Sequence, residues 1–233
     1  MAALAASPDP VITWYDGSAR VELSGRTLAD WVARTARLMT EEGLGGQDVV
    51  DLHLLRERPC HWMGAVWLLA CWWAGPLPSL GLSAATMTVR GPHDADPGSG
   101  ASAPVLVQCG LSALGGPCPD LAPGAVDHAD ALGLPEDLPT PTPRPDDQPW
   151  WCDGQGRTLT GANLAATTPS NAPVLVPASP EVAARLAPLL AAAVLGGGSL
   201  VLVEGLPPGH DLTSLATQEG AVGAPPGNRR AAP

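Results

Sequence analysis

The alternation of apolar and polar positions is most regular between residues 24 and 82. After Ser24, apolar residues recur from Leu28 to Met39 at the spacing of one helix face, with charged residues on the other side. The Ser24 hydroxyl suits an N-cap, and Gly43 suits the end of the same helix. This segment therefore predicts an amphipathic helix that packs on a core.

A strand, a buried helix and a second strand are predicted directly after it. Residues 49–55 are mainly apolar and favour a strand, and residues 77–82 can form another. Between them, residues 61–74 are apolar on nearly every side, which is typical of a helix that is buried all round. Because Gly75 and Pro76 stop that helix, the unit predicts a right-handed βαβ crossover with parallel strands. The predicted fold class is α/β.

Further elements are predicted on both sides of this unit. Asp16 and Gly17 are a typical turn signal for a hairpin between two β-prone runs. The segment 115–149 is rich in Pro and acidic residues, which predicts a linker or a surface segment. The remaining predicted elements are hairpin strands at 11–15 and 20–23, strands at 85–90, 104–109, 174–176 and 200–203, and a helix at 180–195.

The first turn sequence occurs a second time in the chain. Residues 14–20, WYDGSAR, are echoed by residues 151–157, WCDGQGR, and each copy is followed by Leu and then by Ser-Gly or Thr-Gly. Each copy then continues into a predicted helix, strand, helix, glycine break and strand. The repeat predicts two related βαβ-type lobes with mainly parallel sheets. The predicted boundaries are 11–114 for the first lobe, 115–149 for the linker, 150–204 for the second, reduced lobe and 205–233 for a flexible tail.

Charge and composition argue against several classes of partner. The 233 residues carry a formal net charge of -11 and contain no Lys, which disfavours nucleic acid and anionic membrane surfaces. The lack of Lys and Phe fits the codon bias of a GC-rich bacterial genome. The N-terminus has no signal-peptide pattern, and the apolar run 62–74 is shorter than the about 20 residues that span a bilayer. We therefore expect a soluble, cytoplasmic protein.

Cysteine and histidine positions give little indication of a metal site. The five cysteines form no C-x-x-C pair and are expected as reduced, mainly buried thiols. His53 near Asp51 has the spacing of an oriented base, although a packed position at a strand end is favoured. His61 is expected to cap or pack against the buried helix. Two loop clusters combine imidazole with carboxylates, and their Pro-rich surroundings disfavour a metal: His93 with Asp94 and Asp96, and His128 with Asp127 and Asp130.

Two further features have both a structural and a functional interpretation. Ser112 follows a predicted strand, as a nucleophile elbow would, but the second glycine of G-x-S-x-G is missing. The Trp-rich helix is expected to be mainly core, although an exposed face of it could serve a partner. Its tryptophans are Trp62, Trp67, Trp72 and Trp73.

Several local sequences combine into a known pattern. They are Leu23-Ser24 followed by Leu28, Glu42-Gly43-Leu44-Gly45, Asp48-Val49-Val50 and the helix from Ala65 to Gly75. In this order they resemble the opening of adenylate-forming enzymes, the AMP-binding superfamily of acyl-CoA synthetases, luciferases and peptide-synthetase adenylation domains. The Arg that usually follows the Asp of this pattern is replaced here by Val49. Because the region is scaffold in that family, the resemblance implies the N-terminal fold and not the activity.

The second repeat resembles a later part of the same family. The sequence Leu159-Thr160-Gly161-Ala162-Asn163-Leu164 is similar to the Leu-Thr-His-x-Asn-Leu that follows the phosphate loop. The resemblance implies that residues 151–157 stand in the place of that loop, which in working members is rich in Ser, Thr and Gly and ends Pro-Lys-Gly. The Ser/Thr run and the Lys are missing here. The candidate residues for binding ATP or AMP are therefore a degenerate set, Gly154, Gly156, Arg157 and Thr160.

The resemblance leads to one main hypothesis and two rivals. The main hypothesis is a truncated homologue of the N-terminal domain, without adenylating activity, catalytic residues or a metal, that acts as a binding or interaction module or is a vestigial protein. The first rival is an acyl- or aryl-CoA ligase half that binds nucleotide or acyl substrate and needs a partner chain. The second rival is a protein that binds a protein partner or a second copy of itself through the Trp-rich helix and the acidic linker.

Overall fold

The computed structural model describes residues 2–82, 84–92, 103–135, 137, 139–142 and 144–223. Within these residues no helix is both long and apolar enough to cross a membrane. The helices are α1 (Ala2–Ala6), α2 (Gly25–Glu41), α3 (Leu54–Glu57), α4 (Trp62–Ala74), α5 (Gly161–Ala165), α6 (Val182–Gly196), α7 (Leu212–Gln218) and a 3-10 helix (His128–Gly133). The strands are β1 (Pro10–Asp16), β2 (Ala19–Ser24), β3 (Val49–Asp51), β4 (Leu77–Ser79), β5 (Met87–Arg90), β6 (Val105–Gln108), β7 (Val126–Asp127), β8 (Pro149–Cys152), β9 (Thr158–Thr160), β10 (Val174–Pro177), β11 (Leu200–Val203) and β12 (Val222–Gly223).

Two sheets form the framework of the molecule. The five-stranded sheet has the order β12-β10-β11-β1-β2, and the seven-stranded sheet has the order β7-β6-β5-β3-β4-β8-β9. In the described part of the chain, the strands pair in parallel except in two hairpins, β1-β2 and β8-β9. Each hairpin places its second strand at an edge of its sheet. The predicted α/β class with mainly parallel sheets is confirmed.

The central βαβ unit forms as its apolar pattern predicts. Ser24 Oγ accepts a hydrogen bond from the Thr27 amide at 3.1 Å and caps α2. Strands β3 and β4 pair in parallel, with Val49 opposite Leu77. Helix α4 connects them and is buried on nearly every side, because it packs against both α2 and α6. Gly75 ends α4 at φ 106°, a left-handed conformation that glycine adopts without steric cost.

The strand predicted at 49–55 is shorter than expected. It ends at Asp51, and the chain turns into the short helix α3. The side chains of Leu54 and Leu55 are both fully buried although they are neighbours. A strand would point adjacent side chains to opposite faces, whereas a helical turn lets both contact the same core.

The segments predicted as a linker and a flexible tail contain packed elements. The Pro-rich segment 115–149 forms β7 and the 3-10 helix, in which His128 is buried. The Trp73 indole donates to the Pro139 carbonyl at 2.7 Å and so holds this segment against α4. After residue 205 the chain forms α7 and β12, and Leu215 is fully buried. Composition did not indicate these elements, because acidic and Pro-rich composition describes average solvation and not individual long-range contacts.

The sheets draw strands from both predicted lobes. The five-stranded sheet combines β1 and β2, from the predicted first lobe at 11–114, with β10 and β11, from the predicted second lobe at 150–204. The seven-stranded sheet likewise combines β3 to β6 with β8 and β9. The sheets therefore interleave the two halves of the chain, and the domain boundaries themselves stay a prediction.

Candidate functional site

The hairpin turn between β8 and β9 lies at the edge where the parallel strands of the larger sheet end. Ligands of open α/β sheets bind beyond this carboxyl edge. Gly154 has φ 74°, and a Cβ built on it would lie 1.9 Å from the Leu80 carbonyl oxygen. Gly156 has φ 83° and faces open space. The turn therefore requires glycine at 154 for close packing, whereas at 156 only the backbone conformation favours it.

The centre of this turn is occupied by a carboxylate of the chain itself. Asp153 Oδ1 accepts hydrogen bonds from the amides of Gln155 at 2.9 Å and Arg157 at 3.1 Å. Arg157 Nε donates to Asp153 Oδ2 at 2.5 Å. The Asp153 side chain is only 6% exposed, whereas that of Arg157 is 70% exposed. The amides and the guanidinium of this turn thus already bind an anion, which is the Asp153 carboxylate.

Thr160 lies at the other end of β9 and has a structural task. Its hydroxyl accepts from the Asn163 amide at 3.1 Å, and Asn163 Oδ1 accepts from the Thr160 amide at 3.0 Å. This reciprocal pair is a capping box at the start of α5. A strand advances about 3.3 Å per residue, so Thr160 lies about 10 Å along the chain from Arg157. Of the four predicted residues, the structure brings Gly154, Gly156 and Arg157 into one turn and places Thr160 at a helix cap.

Two charged residues beside the same turn, Arg56 and Asp51, have no place in the phosphate-loop resemblance. Arg56 Nη2 donates to the Leu80 carbonyl at 3.2 Å, on the strand end that Gly154 contacts. Asp51 Oδ1 accepts from the Gly81 amide at 2.5 Å. The repeat places Asp153 at the position that Asp16 has in the first copy, which is the one signal in the sequence for a carboxylate in this turn. No local pattern in the sequence marks Arg56, because the Leu80 carbonyl that it binds lies 24 positions away.

Two buried histidines, His61 and His128, serve the fold. His61 is fully buried, and its Nδ1 accepts from the Met63 amide at 3.2 Å, which confirms the predicted cap. Burial, and then the positive charge of Arg58, lowers the pKa of His61 to about 3. His128 is also buried, and its Nε2 lies 2.9 Å from Thr35 Oγ1. Burial lowers the pKa of His128 to about 4, which disfavours a charged imidazole at neutral pH.

The other candidate clusters are used by local structure or fall outside the described residues. The carboxylate of Asp127 accepts from the amides of Ala129 and Cys118, and the Ser112 hydroxyl donates to the Gly115 carbonyl. Across the described ranges no group of three or more His, Cys, Asp or Glu side chains could hold a metal ion. The cluster of His93, Asp94 and Asp96 lies outside the described residues.

A second charged cluster joins the five-stranded sheet to the connection between α3 and α4. Arg58, which precedes α4, donates from Nε to Glu204 at 2.7 Å and from Nη2 to Asp16 at 2.8 Å. Asp16 ends β1, and Glu204 directly follows β11, the strand beside β1. Burial raises the pKa of Glu204, and Arg58 lowers it. The cluster is a cross-link between elements, since each of its charges already has an opposite charge beside it.

Comparisons with known proteins place this geometry in a known fold. No family model matches the chain. A Mycobacterium tuberculosis protein that is named only for a numbered family is 33% identical over 143 residues, which are 58% of this chain and 58% of that protein. The chain thus spans less than two thirds of that relative.

Solved structures agree over most of the chain. A Brucella canis acyl-CoA synthetase superposes with a TM-score of 0.72 at 16% identity, over 93% of this chain and 44% of that one. A Mycobacterium tuberculosis fatty acyl CoA synthetase gives 0.61 at 15% identity, over 93% and 46%. A Burkholderia xenovorans benzoate CoA ligase gives 0.62 at 14% identity, over 88% and 45%. The chain therefore has the fold of adenylate-forming enzymes of the acyl-CoA synthetase type, over less than half of their length.

Proposed function

We propose that this chain does not adenylate carboxylic acids and acts as a binding or interaction module on an acyl-CoA synthetase-type fold. The observation that carries the proposal is the Asp153 carboxylate, which occupies the amides of the turn between β8 and β9. By the resemblance of the sequence, this turn stands where the family holds ATP phosphates. A phosphate would therefore have to compete with Asp153 for the amides of Gln155 and Arg157.

Electrostatics supports this proposal. A phosphate oxygen on the same amides would lie roughly 4 Å from Asp153, where two unit charges repel by about 4 kcal/mol at an effective dielectric constant near 20. That free energy corresponds to about a thousandfold loss of affinity. The 233 residues also contain no Lys, so no ammonium is available to offset the repulsion.

One observation favours the rival function, in which the chain is a ligase half that binds nucleotide or acyl substrate and needs a partner chain. The Arg157 guanidinium is 70% exposed at the carboxyl edge of the sheet. A guanidinium can pair with two phosphate oxygens, so rotation of Arg157 away from Asp153 would offer a cation to a nucleotide. In this rival, ATP or AMP is the ligand and Arg157 is its main contact.

Calorimetric titration with ATP and AMP tests the proposal. We expect no saturable binding to the wild-type chain up to millimolar nucleotide, and no pyrophosphate exchange with a panel of carboxylic acids. Asp153→Asn removes the charge and keeps an acceptor for the turn, so it should gain weak ATP binding. Saturable ATP binding to the wild type that is lost in Arg157→Ala would overturn the proposal and support the rival.

The binding partner of the module is open to a direct experiment. We propose a protein partner or a second copy of the chain, and neither nucleic acid nor membrane, because the net charge of -11 disfavours polyanions. Light scattering across a concentration series detects self-association, and affinity capture under matched conditions detects a constant partner. A strictly monomeric chain without a reproducible partner would contradict the interaction role.

A further inference from the structure

The end of strand β6 and the loop that follows it come into very close contact. A Cβ built on Gly110 would lie 2.5 Å from the Pro117 carbonyl oxygen and 2.8 Å from the Pro117 carbonyl carbon. Real Cβ atoms essentially never approach this closely, so the backbones at 110 and 117 touch because residue 110 is glycine. Cys109 precedes this contact and Cys118 follows it.

A second contact holds Cys118 beside the end of β6. The Cys118 amide donates to Asp127 Oδ2 at 2.9 Å. Asp127 lies in β7, opposite Gln108 of β6, which is the residue before Cys109. Both contacts involve the Pro117–Cys118 peptide, one through the Pro117 carbonyl and the other through the Cys118 amide. This peptide is therefore held next to positions on either side of Cys109.

The electrostatics of the thiols agrees with this placement. Burial raises the pKa of the Cys109 thiol, the Trp67 indole lowers it, and Cys118 contributes a further increase. This influence agrees with the placement of Cys118 near Cys109. A disulfide needs Cα atoms about 4.4–6.8 Å apart, and the backbone contact between residues 110 and 117 brings the adjoining residues 109 and 118 together.

We propose that Cys109 and Cys118 form a disulfide-competent pair, a modification site that a peroxide oxidises to close the loop 110–117. The inference is independent of the proposed function. Both residues are thiols in this structure, in common with the other three cysteines.

A cleft reaches residues that are adjacent in sequence to both cysteines, Gly110 and Pro119. Its volume is about 390 Å³, and it opens beside the residues that separate the two cysteines. Cys118 is 7% exposed, whereas Cys109 is fully buried. Cys118 is therefore the thiol that meets the oxidant first, and Cys109 is the resolving thiol. The cleft is lined by Pro92, Gly110, Leu111, Ser112, Pro117 and Pro119.

The reaction balances with hydrogen peroxide as the oxidant. The Cys118 thiolate attacks one peroxide oxygen, the O–O bond breaks, and a sulfenic acid and hydroxide form. The Cys109 sulfur then attacks the sulfenic sulfur, the S–O bond breaks, and water leaves as the disulfide forms. In sum, two thiols and one peroxide give one disulfide and two water molecules. Because burial raises the pKa of Cys118, the reactive thiolate is a minor form at neutral pH and the rate should rise with pH.

Thiol counting after peroxide treatment tests the pair in the full chain. The wild type has five cysteines, and one disulfide consumes two of them, so titration in denaturant should fall from five thiols to three. Cys118→Ser should start at four thiols and stay there, whereas Cys109→Ser should start at four and fall to three, because the Cys118 sulfenic acid then has no resolving thiol. The control Cys152→Ser should fall from four to two, because Cys152 lies on β8. The pair would be overturned if the wild type kept all five thiols, or if Cys109→Ser also lost two thiols.

Two further readouts keep the inference testable if a serine variant folds poorly. Intact mass of the wild type should fall by about two hydrogen masses on oxidation, and a reductant should restore it. The rate should increase about tenfold per pH unit below the thiol pKa, because the thiolate fraction does so. Oxygen addition to the cysteines without the mass decrease would contradict disulfide formation.

Discussion

The two hairpins share the sequence pattern W-x-D-G-x-x-R and differ in what their charged residues bind. In the first, Asp16 pairs with Arg58 before α4, and Arg20 donates to Glu219 at 3.1 Å beyond α7. In the second, Asp153 and Arg157 bind each other. The same Asp and Arg positions thus connect distant elements in one copy and close a local turn in the other.

The difference follows from what surrounds each hairpin. Strand β1 has β11 on one side and β2 on the other, so its end meets Glu204 and residues of the chain after it. The Tyr15 hydroxyl donates to Glu219 and accepts from Arg20 at 2.7 Å, which extends the network to the end of α7. Strand β8 joins its sheet at Ser79 opposite Cys152, and its turn extends past the neighbouring strand end. The first hairpin is therefore a structural cross-link. The second has only a local ion pair between its own charged residues, and its arginine is exposed.

The largest expected effect on stability comes from removing Arg58, which binds Asp16 of the first hairpin. Arg58→Ala should lower the free energy of unfolding by about 3–5 kcal/mol, because it leaves the buried Glu204 carboxylate without its cation. Urea denaturation measures this change. The matched variant Arg157→Ala should cost at most about 1 kcal/mol, since its guanidinium is 70% exposed and the Asp153 carboxylate keeps two backbone amides as donors. Equal losses in the two variants would remove the distinction between the hairpins.

A glycine pair within the second hairpin gives the next largest effect. Gly154→Ala should lower the free energy of unfolding by about 3 kcal/mol, since it adds a contact with the Leu80 carbonyl to an unfavourable positive φ. Gly156→Ala should cost about 1–2 kcal/mol, because φ is also positive there but the space is open. Thermal and urea unfolding of both variants separate packing from conformation. A smaller loss in Gly154→Ala than in Gly156→Ala would show that the turn can move off Leu80.

Acid should weaken the first hairpin through His61, whose ring lies 4.9 Å from that of Trp14. Its folded pKa of about 3 is below its usual value near 6.5, so the folded state binds fewer protons than the unfolded state. The corresponding stability is complete above pH 6.5 and is lost as the pH falls towards 3. Between pH 6.5 and 5 the loss is about 2 kcal/mol.

The variant His61→Gln isolates this contribution, because it should flatten the dependence of the unfolding free energy on pH in that interval. His128→Gln should flatten the slope to a similar extent, because burial also lowers the pKa of this imidazole, which lies beside Trp31 and Trp67. An unchanged pH slope in His61→Gln would assign the acid sensitivity elsewhere.

Local chemistry explains which parts of the structure could be predicted from sequence. The cap at Ser24, the stop at Gly75 and the apolar spacing of α2 act within a few residues, so the βαβ unit followed from pattern alone. Tyr15 and Glu219 are 204 positions apart, and no pattern in a single sequence links them. The phosphate-loop resemblance likewise located the turn at Gly154, but the acceptor of its amides depends on a side-chain conformation that only the structure gives.

The smallest expected effects on stability come from the helix caps that follow the two hairpins. Ser24→Ala should cost about 1 kcal/mol, because the 17-residue α2 has one face in the core and cannot separate from it without global unfolding. Thr160→Ala should cost about 0.5 kcal/mol, since α5 has five residues and can open locally while the sheets remain. Ser24→Thr and Thr160→Ser keep a capping oxygen and should restore stability. If instead Thr160→Ala caused the larger loss of stability, α5 could not open without global unfolding. The second hairpin would then be packed as tightly into the fold as the first, contrary to the comparison.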